Sequence, residues 1–406
     1  MEATLRRPQE TAPEPQTAEA DDAADAVTIT VETKALKGAL DRLARVLPVR
    51  SSEPAYLSVA LTPAEGALVL AGTNGAQDLE LVLPAEAPPG PTRLVPAAPL
   101  TQVVRSLGAG TATLTLEGET LSLEAGRFAT RLHLSAGDLE LPLDFGGDPL
   151  ASLPAAELAA LLEPVAYATS NENYRAVFTG VQLEVHPERL RGVASDGFRL
   201  ALVDRPLPEG AAVHRTFPVP EDGDGATPEP LALVVPKASV VELLRVLRGV
   251  EGVVQLHHRP GRLALHAEGV RYATALLDGA YPEYARVIPA EAPFVAEFDV
   301  RPFREALRRT TVMSDATNHR VDLTFEEGRV RLVSEGDYGR GEEVLEGIDY
   351  QCEPLTAALN ASYLEDALGP VARRARLDLT GPTTPLAVRD AEALDGYLAV
   401  VVPLRV

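Results

Sequence analysis

The chain has 406 residues, of which 46% are hydrophobic and 24% charged, and its formal net charge is −22. This length predicts two to four domains rather than a single core. We expect a cytoplasmic protein, because the sequence has no signal-peptide apolar run and no membrane span of roughly 18 apolar residues, and its one cysteine, Cys352, cannot form an internal disulfide. Taken alone, the acidity argues against nucleic-acid binding, which usually needs a basic surface.

Residues 1–25 have the composition of a disordered acidic tail. They hold Pro8, Pro13 and Pro15, and seven acidic residues against two arginines. So few apolar side chains cannot bury enough surface to offset the entropy of ordering the backbone. We expect a solvated tail with no core of its own.

From Val27 onward, a pattern of helices and strands repeats three times. Apolar residues at helical spacing open each repeat, and a second helix with the same spacing opens its second half. The predicted first helices span 30–40, 152–162 and 299–307, and the predicted second helices span 96–104, 236–244 and 360–368. Alternating strands fill the rest, so each repeat consists of two similar halves.

A small polar triplet ending in glycine lies between the two helices of each repeat. The triplets are Thr73-Asn74-Gly75, Ser195-Asp196-Gly197 and Ser334-Glu335-Gly336, with the glycine 45, 45 and 37 residues after the start of the first helix. We therefore predict an α+β fold of three tandem domains, at 26–146, 147–291 and 292–406, with helices on one face of antiparallel sheets. An acidic Pro/Gly-rich insertion at 206–230 is predicted to be a mobile surface loop.

The net charge is distributed unevenly between helices and strands. The six predicted helical regions together carry +8, so the rest of the chain carries −30. One face could therefore meet phosphate while the other repels it, although basic residues on solvated helix faces would give the same count. Without tryptophan or an aromatic row, such contacts would be weak and sequence-independent, and topological enclosure is one way to keep DNA bound.

Four stretches resemble the bacterial DNA polymerase III beta subunit, or beta sliding clamp, and the resemblance runs from about Val27 to Val406. The stretches are 171–180, 194–201, 278–289 and 400–406. The resemblance implies a DNA-clamp fold, with two chains in a head-to-tail ring whose helices line the hole and whose sheets lie outside. It also implies a non-catalytic processivity factor without a cofactor, which encircles duplex DNA and tethers the replicative polymerase, the clamp loader and other replication and repair proteins. A protein-interaction scaffold that does not bind DNA is the alternative.

The resemblance also implies three sets of functional residues. The client-peptide pocket between the second and third domains would contain Arg175, Gly197, Phe198, Arg199, Leu200, Pro282, Arg286, Val287, Asn360, Tyr363, Val400, Val401, Val402, Pro403, Leu404 and Arg405. The DNA-contacting residues would be Arg50, Arg105 and Lys237, and the dimer interface would include Thr130 and Leu132. Aliphatic walls suit apolar peptide anchors, and arginines suit peptide polar groups.

The chain departs from the family pattern at several positions. Phe198 replaces a frequent histidine, and Val402 replaces a common methionine, which would alter the peptide preference. Ala176 and Val177 stand where DNA-contacting tyrosines can occur, and Thr130 makes one dimer anchor polar.

Motifs for catalysis and metal binding are weak. The sequence has no GxGxxG, P-loop, GxSxG or HExxH motif, and Ser195-Asp196 has no histidine nearby in the sequence. His257 and His258 are adjacent, so in a strand they would point to opposite faces and would not share a metal. We expect no enzyme and no metal site.

Overall fold

The computed structural model describes residues 26–135, 141–172, 174–217, 228–315, 317–393 and 396–405. The predicted tail, residues 1–25, and residues 218–227 of the predicted loop lie outside the described residues. Within the described part of that loop, Ala212–Val213 pair with Ser152 and Ala151, so this section is held against a sheet.

The strands and helices follow one another in three similar series. The first contains β1 (Val27–Glu32), α1 (Thr33–Val46), β2 (Ser58–Ala64), β3 (Ala67–Thr73), β4 (Gln77–Glu86), β5 (Arg93–Pro96), α2 (Ala97–Ser106), β6 (Thr111–Glu117), β7 (Thr120–Ala125) and β8 (Phe128–His133). The second contains β9 (Asp148–Pro154), α3 (Ala155–Leu162), β10 (Gly180–Val185), β11 (Arg189–Ser195), β12 (Arg199–Pro206), β13 (Ala212–Val213), β14 (Leu231–Pro236), α4 (Lys237–Leu247), β15 (Val253–Arg259), β16 (Arg262–Ala267) and β17 (Val270–Ala275). The third contains β18 (Phe294–Asp299), α5 (Val300–Thr311), β19 (Arg320–Glu326), β20 (Arg329–Gly336), β21 (Gly339–Glu346), β22 (Leu355–Asn360), α6 (Ala361–Leu368), β23 (Arg374–Leu379), β24 (Leu386–Asp390) and β25 (Tyr397–Val401).

Apart from β13, these elements form six units of one strand, one helix and three strands. We propose the predicted boundaries near 146 and 291 as domain boundaries, because they fall between β8 and β9 and between β17 and β18. The predicted starts of the first two helices were wrong by three residues. Residues 30–32 and 152–154 belong to β1 and β9, since the strand continues up to the helix.

Antiparallel strand pairing joins neighbouring domains at both domain boundaries. Strand β4 of the first domain pairs with β17 of the second, and β12 of the second pairs with β25 of the third. Within the described ranges, β8 ends one sheet and β21 ends another, each with one neighbouring strand. Strand pairing therefore joins the three domains, and within the described residues β8 of the first domain and β21 of the third each have an unpaired edge.

The third polar triplet does not align with the other two triplets as predicted, but is shifted by one residue. Ser195 pairs with Leu200 across a four-residue connection, and Glu335 pairs with Arg340 across a connection of the same length. Glu335, rather than Ser334, therefore corresponds to Ser195. A one-residue shift in a strand moves a side chain to the opposite face, so sequence similarity alone could not fix this register.

The helices lie close against the sheets, and the two helices of each domain contact each other. In α1, Leu36, Leu40 and Leu43 are fully buried, and each contributes about 1.5–3 kcal/mol of apolar burial. Glycine permits a close approach in the third domain, because a Cβ on Gly341 would lie 2.7 Å from the Thr310 carbonyl oxygen. None of the helices in the described ranges has the length and hydropathy to cross a membrane.

Candidate peptide, nucleic-acid and dimer interfaces

The C-terminal segment joins the second and third domains at the predicted pocket. Arg199 is opposite Val401 in the β12–β25 pair. Beyond that strand, the Val402 amide donates to the Phe198 carbonyl at 3.0 Å, and the Leu404 amide donates to the Ala358 carbonyl at 2.8 Å. The structure therefore places the predicted residues 400–404 beside the Gly197–Leu200 loop.

A buried apolar cluster forms the floor beneath this loop. Its fully buried members are Val193, Leu200, Leu202 and Val400. Tyr281, Tyr284 and Ile288, from the connection between β17 and β18, pack against it. These three were not predicted as site residues, although two of them are aromatic residues within one of the stretches that carry the family resemblance.

Aromatic rings form one wall of the candidate pocket. Phe178 packs edge-on against Tyr174 at a ring-centroid distance of 6.0 Å and against Tyr281 at 5.9 Å. The predicted Arg175 guanidinium lies over the Phe178 ring at 5.8 Å, and the predicted Phe198 is 60% exposed. Sequence reasoning missed Tyr174 and Phe178, although both lie within the stretch 171–180 that carries the family resemblance.

Gly197 has a conformation that favours glycine. Its φ is +91°, and an added Cβ would lie 3.2 Å from the Tyr174 hydroxyl. That hydroxyl donates a hydrogen bond to the Asp196 carbonyl, so Tyr174 lies over the loop. Any larger residue at 197 would strain the turn and displace Tyr174.

Arg199 is occupied within the protein. Its guanidinium bonds to Asp196 at 3.0 Å and Asp366 at 2.5 Å, donates to the Tyr167 carbonyl at 3.1 Å, and lies 4.5 Å over the Tyr363 ring. Only 13% of this side chain is exposed. Arg199 and Tyr363, both predicted to bind peptide, thus contact each other within the fold.

Asn360 also has a structural role. Its side-chain oxygen accepts hydrogen bonds from the amides of Ser362 and Tyr363 at 2.9 and 3.2 Å, which caps the N-terminus of α6. The predicted Arg286 and Val287 are exposed on a 3₁₀ turn, and Arg286 pairs with Glu283.

The predicted DNA-contacting residues lie on or beside the helices. Arg50 is exposed in the connection after α1. Arg105, in the last turn of α2, bonds to Asp41 of α1 at 2.6 Å, and Lys237, which opens α4, donates to the Asn171 side chain at 3.1 Å. All three are on or next to helical elements rather than on the outer strands.

Apolar side chains lie beside both open strand edges. The predicted Thr130 and Leu132 face the core side of β8, opposite Leu123 and Leu121 of β7, and Phe128 on the same strand is exposed. Near β21, the exposed apolar residues include Val312, Met313 and Tyr338, of which Val312 is 74% and Tyr338 is 96% exposed. These three were not predicted, because exposure cannot be read from the sequence.

The residues considered for catalysis and metal binding are engaged in the fold. The Ser195 hydroxyl donates to the Arg199 carbonyl at 2.8 Å. The rings of His257 and His266 stack at 4.2 Å, and the pKa of His266 is lowered by burial. Among the residues that the structure describes, no three His, Cys, Asp or Glu side chains converge as metal ligands would.

Two family models match the chain. Both describe the DNA polymerase III beta subunit: the model of its C-terminal domain matches residues 285–405, and the model of its central domain matches residues 152–223. Curated relatives include the beta sliding clamp of Caulobacter vibrioides, 29% identical over 391 residues, which cover 93% of this chain and 100% of that protein. The beta sliding clamp of Escherichia coli strain K12 is 27% identical over 384 residues, with 93% and 99% coverage.

Solved structures show the same likeness. A DnaN sliding clamp from Pseudomonas aeruginosa, bound to griselimycin, matches with a TM-score of 0.84 and 25% identity, covering 94% of this chain and 100% of that chain. A beta sliding clamp from C. crescentus, with polyethylene glycol bound, matches with a TM-score of 0.81 and 28% identity at the same coverage. The likeness therefore extends over all three domains.

Proposed function

The chain belongs to the DNA polymerase III beta subunit family, and from this we propose that it is a sliding clamp that encircles duplex DNA and tethers the replicative polymerase to it. The protein is a non-catalytic processivity factor, and a scaffold without DNA binding is not favoured. One observation carries the proposal: in the described part of the chain, strand pairing joins six similar units across both domain boundaries, and β8 and β21, which are equivalent to the paired boundary strands, lack such a partner.

The internal boundaries indicate how a ring would close. At each boundary, the last strand of one domain's first half pairs with the last strand of the next domain's second half, as β4 with β17 and β12 with β25. The strands left over by this rule are β21 and β8. Pairing β21 of one copy with β8 of another would repeat the same contact head to tail and close a ring of two chains. It would also pair the open edges of β8 and β21.

The internal boundaries also supply a register for this contact. Asp78 pairs with Ala273, and Leu200 pairs with Val400. Arg340 occupies the position in β21 that Asp78 occupies in β4 and Leu200 in β12. Arg131 occupies the position in β8 that Ala273 occupies in β17 and Val400 in β25. Arg131 of one copy would therefore lie opposite Arg340 of the other, with Phe128 and Leu132 on the core side of the joined sheet.

We propose Val312 and Met313 as further parts of the dimer interface, with the predicted Thr130 and Leu132. They are exposed at the end of α5, beside the open β21 edge, and Met313 lies 4.0 Å from where a Cβ on Gly339 would be. Exposed apolar side chains at an open strand edge favour a protein contact. Their burial would compensate for the polar Thr130.

A cysteine pair tests this arrangement. Arg131→Cys combined with Arg340→Cys, in a chain carrying Cys352→Ala, should form an intermolecular disulfide under mild oxidation and run as a covalent dimer. Arg131→Cys with Arg331→Cys is the matched control, because Arg331 lies on β20, one strand inward. Efficient cross-linking of the control, or none in the test pair, would contradict the proposed closure.

We propose that the surface between the Gly197–Leu200 loop, residues 400–405 and the 3₁₀ turn at Tyr284–Val287 binds short peptides from the polymerase, the clamp loader and other clients. The apolar floor suits leucine-type anchors, and the exposed Phe198 beside Tyr174 suits an aromatic anchor. We further propose that Arg50, Arg105 and Lys237 contact phosphates without reading sequence, and that the protein acts in the cytoplasm at the nucleoid.

A further inference from the structure

In each domain, a carboxylate–arginine pair joins the first helical segment to the second, and in the third domain the same carboxylate, Glu365, also pairs with Arg304 at 3.5 Å. The pairs are Asp41–Arg105 at 2.6 Å, Glu163–Arg248 at 2.8 Å and Glu365–Arg308 at 2.5 Å. The carboxylate belongs to the first segment in two domains and to the second segment in the third. The arrangement is thus repeated although the residue positions differ, and the sequence did not indicate it.

These pairs are open to solvent. The arginine side chains are between 52% and 65% exposed, with Arg248 the most exposed. An exposed ion pair contributes only about 0–1 kcal/mol to stability, because water and salt screen it. Each carboxylate can therefore leave its arginine at little energetic cost.

We propose that these three carboxylates are replaceable partners that compete with DNA phosphates for the helix arginines. The inference rests on the proposed function, in which these helices face the duplex. A phosphate that reaches Arg105, Arg248 or Arg308 must displace a carboxylate, so each contact gains little free energy. When the DNA moves on, the carboxylate returns and the arginine is never left without a partner. Weak, exchangeable contacts of this kind lower the barrier between successive positions on the duplex.

A purely structural role makes a different prediction. If the pairs only fasten the helices together, then neutralising the carboxylates would lower the melting temperature and leave DNA affinity unchanged. If they compete with phosphate, then DNA affinity would rise. The two roles are therefore separated by the sign of the effect on DNA binding.

The test compares two variants that each lose three negative charges per chain. The test variant is Asp41→Asn with Glu163→Gln and Glu365→Gln. The control variant is Glu117→Gln with Glu188→Gln and Glu326→Gln, one exposed or partly exposed strand or hairpin carboxylate in each domain. Binding of a fluorescent linear duplex is measured by anisotropy over a salt series, with melting temperature and solution mass recorded for each protein.

We expect the test variant to bind about fivefold more tightly than the control. The slope of log K against log salt should steepen by up to about 0.9 for each freed arginine that contacts a phosphate. Equal affinity and equal slope in the two variants would overturn the inference. If the triple variant does not fold, Glu163→Gln alone is compared with Glu188→Gln, with the same criteria. Failure of the wild-type ring to be retained on circular DNA would instead overturn the proposed function.

Discussion

Arg199 on β12 and Asp366 on α6 are joined by a 2.5 Å hydrogen bond across the boundary between the second and third domains. The same guanidinium also bonds to Asp196, whose side-chain oxygen accepts the amides of Phe198 and Arg199. One side chain thus connects the Gly197–Leu200 loop with α6. The conformation of this loop, at the proposed peptide pocket, therefore depends on the relative position of two domains.

Replacing Arg199 with methionine should destabilise the chain by about 2 kcal/mol and weaken client-peptide binding. The reason is that the change removes hydrogen bonds from a mostly buried site and frees the loop. Urea denaturation and peptide anisotropy would measure the two effects. Arg205→Met, which removes an exposed pair with Glu157, should change stability by less than about 0.5 kcal/mol. Equal losses in both variants would refute the role assigned to Arg199.

Removing residues 402–406 should lower client-peptide affinity at least about tenfold, because it deletes the segment held by the Phe198 and Ala358 carbonyls. The dimer should persist, since β8 and β21 are untouched. Anisotropy with a peptide carrying leucine and phenylalanine anchors measures the first effect, and light scattering measures the second. Unchanged peptide affinity would exclude the pocket.

Val312→Asp should shift the protein towards a monomer of about 43 kDa, because it places a charge in the proposed apolar contact. Light scattering over a concentration series would give the mass. Val253→Asp is the matched control, as Val253 is also an exposed valine but lies on β15, remote from β8 and not in the sheet of β21. A mass unaffected by Val312→Asp would argue against this part of the interface.

Arg50→Glu with Lys237→Glu should weaken DNA binding to a similar extent on duplexes of different sequence, because phosphate contacts carry no sequence information. Arg93→Glu with Arg329→Glu makes the same charge change on strands β5 and β20, and this control should bind DNA more nearly as the wild type does. Binding to two unrelated duplexes at one salt concentration measures the effect. A loss confined to one sequence would contradict phosphate contact.

Stability should fall on acidification, in part through His266. Its ring nitrogen lies 2.8 Å from the Phe145 carbonyl, and burial lowers its pKa below 6.5. The unfolded chain therefore takes up a proton at higher pH than the folded chain, so stability is greatest above about pH 6.5 and decreases below it. The melting temperature should drop between about pH 7.5 and pH 5.5, and His266→Gln should drop less. An identical drop in the variant would exclude this contribution.

The sequence predicted the repeat and the α+β class because both depend on local periodicity. Helical spacing identified the six α-helices found in the described residues, and the family resemblance singled out the loop around Gly197 and the C-terminal segment, which the fold brings together. The register of the third triplet was missed, since a one-residue shift leaves composition almost unchanged. The sequence also did not predict that the Arg199 guanidinium is hydrogen-bonded within the protein, because its partners Asp366 and Tyr167 are distant in sequence and meet only in the folded chain.

The exposure of individual side chains also could not be predicted from the sequence. In the sequence, nothing distinguishes Val312 and Tyr338 from other residues at a helix end or in a hairpin. In the folded chain, both are exposed. The carboxylates that pair with an arginine of the other helical segment, such as Glu163, appear in the sequence only as negative charges. Their pairing with arginines follows from helix packing, which the pattern of residues does not specify.

Retention on DNA tests enclosure most directly. The protein is loaded onto a nicked circular duplex with a clamp loader, and the bound fraction is followed by gel filtration before and after the circle is cut once. The closed ring predicts stable retention on the circle, even at salt concentrations that abolish binding to free ends, and rapid loss after linearisation. Equal retention on circular and linear DNA would contradict the ring.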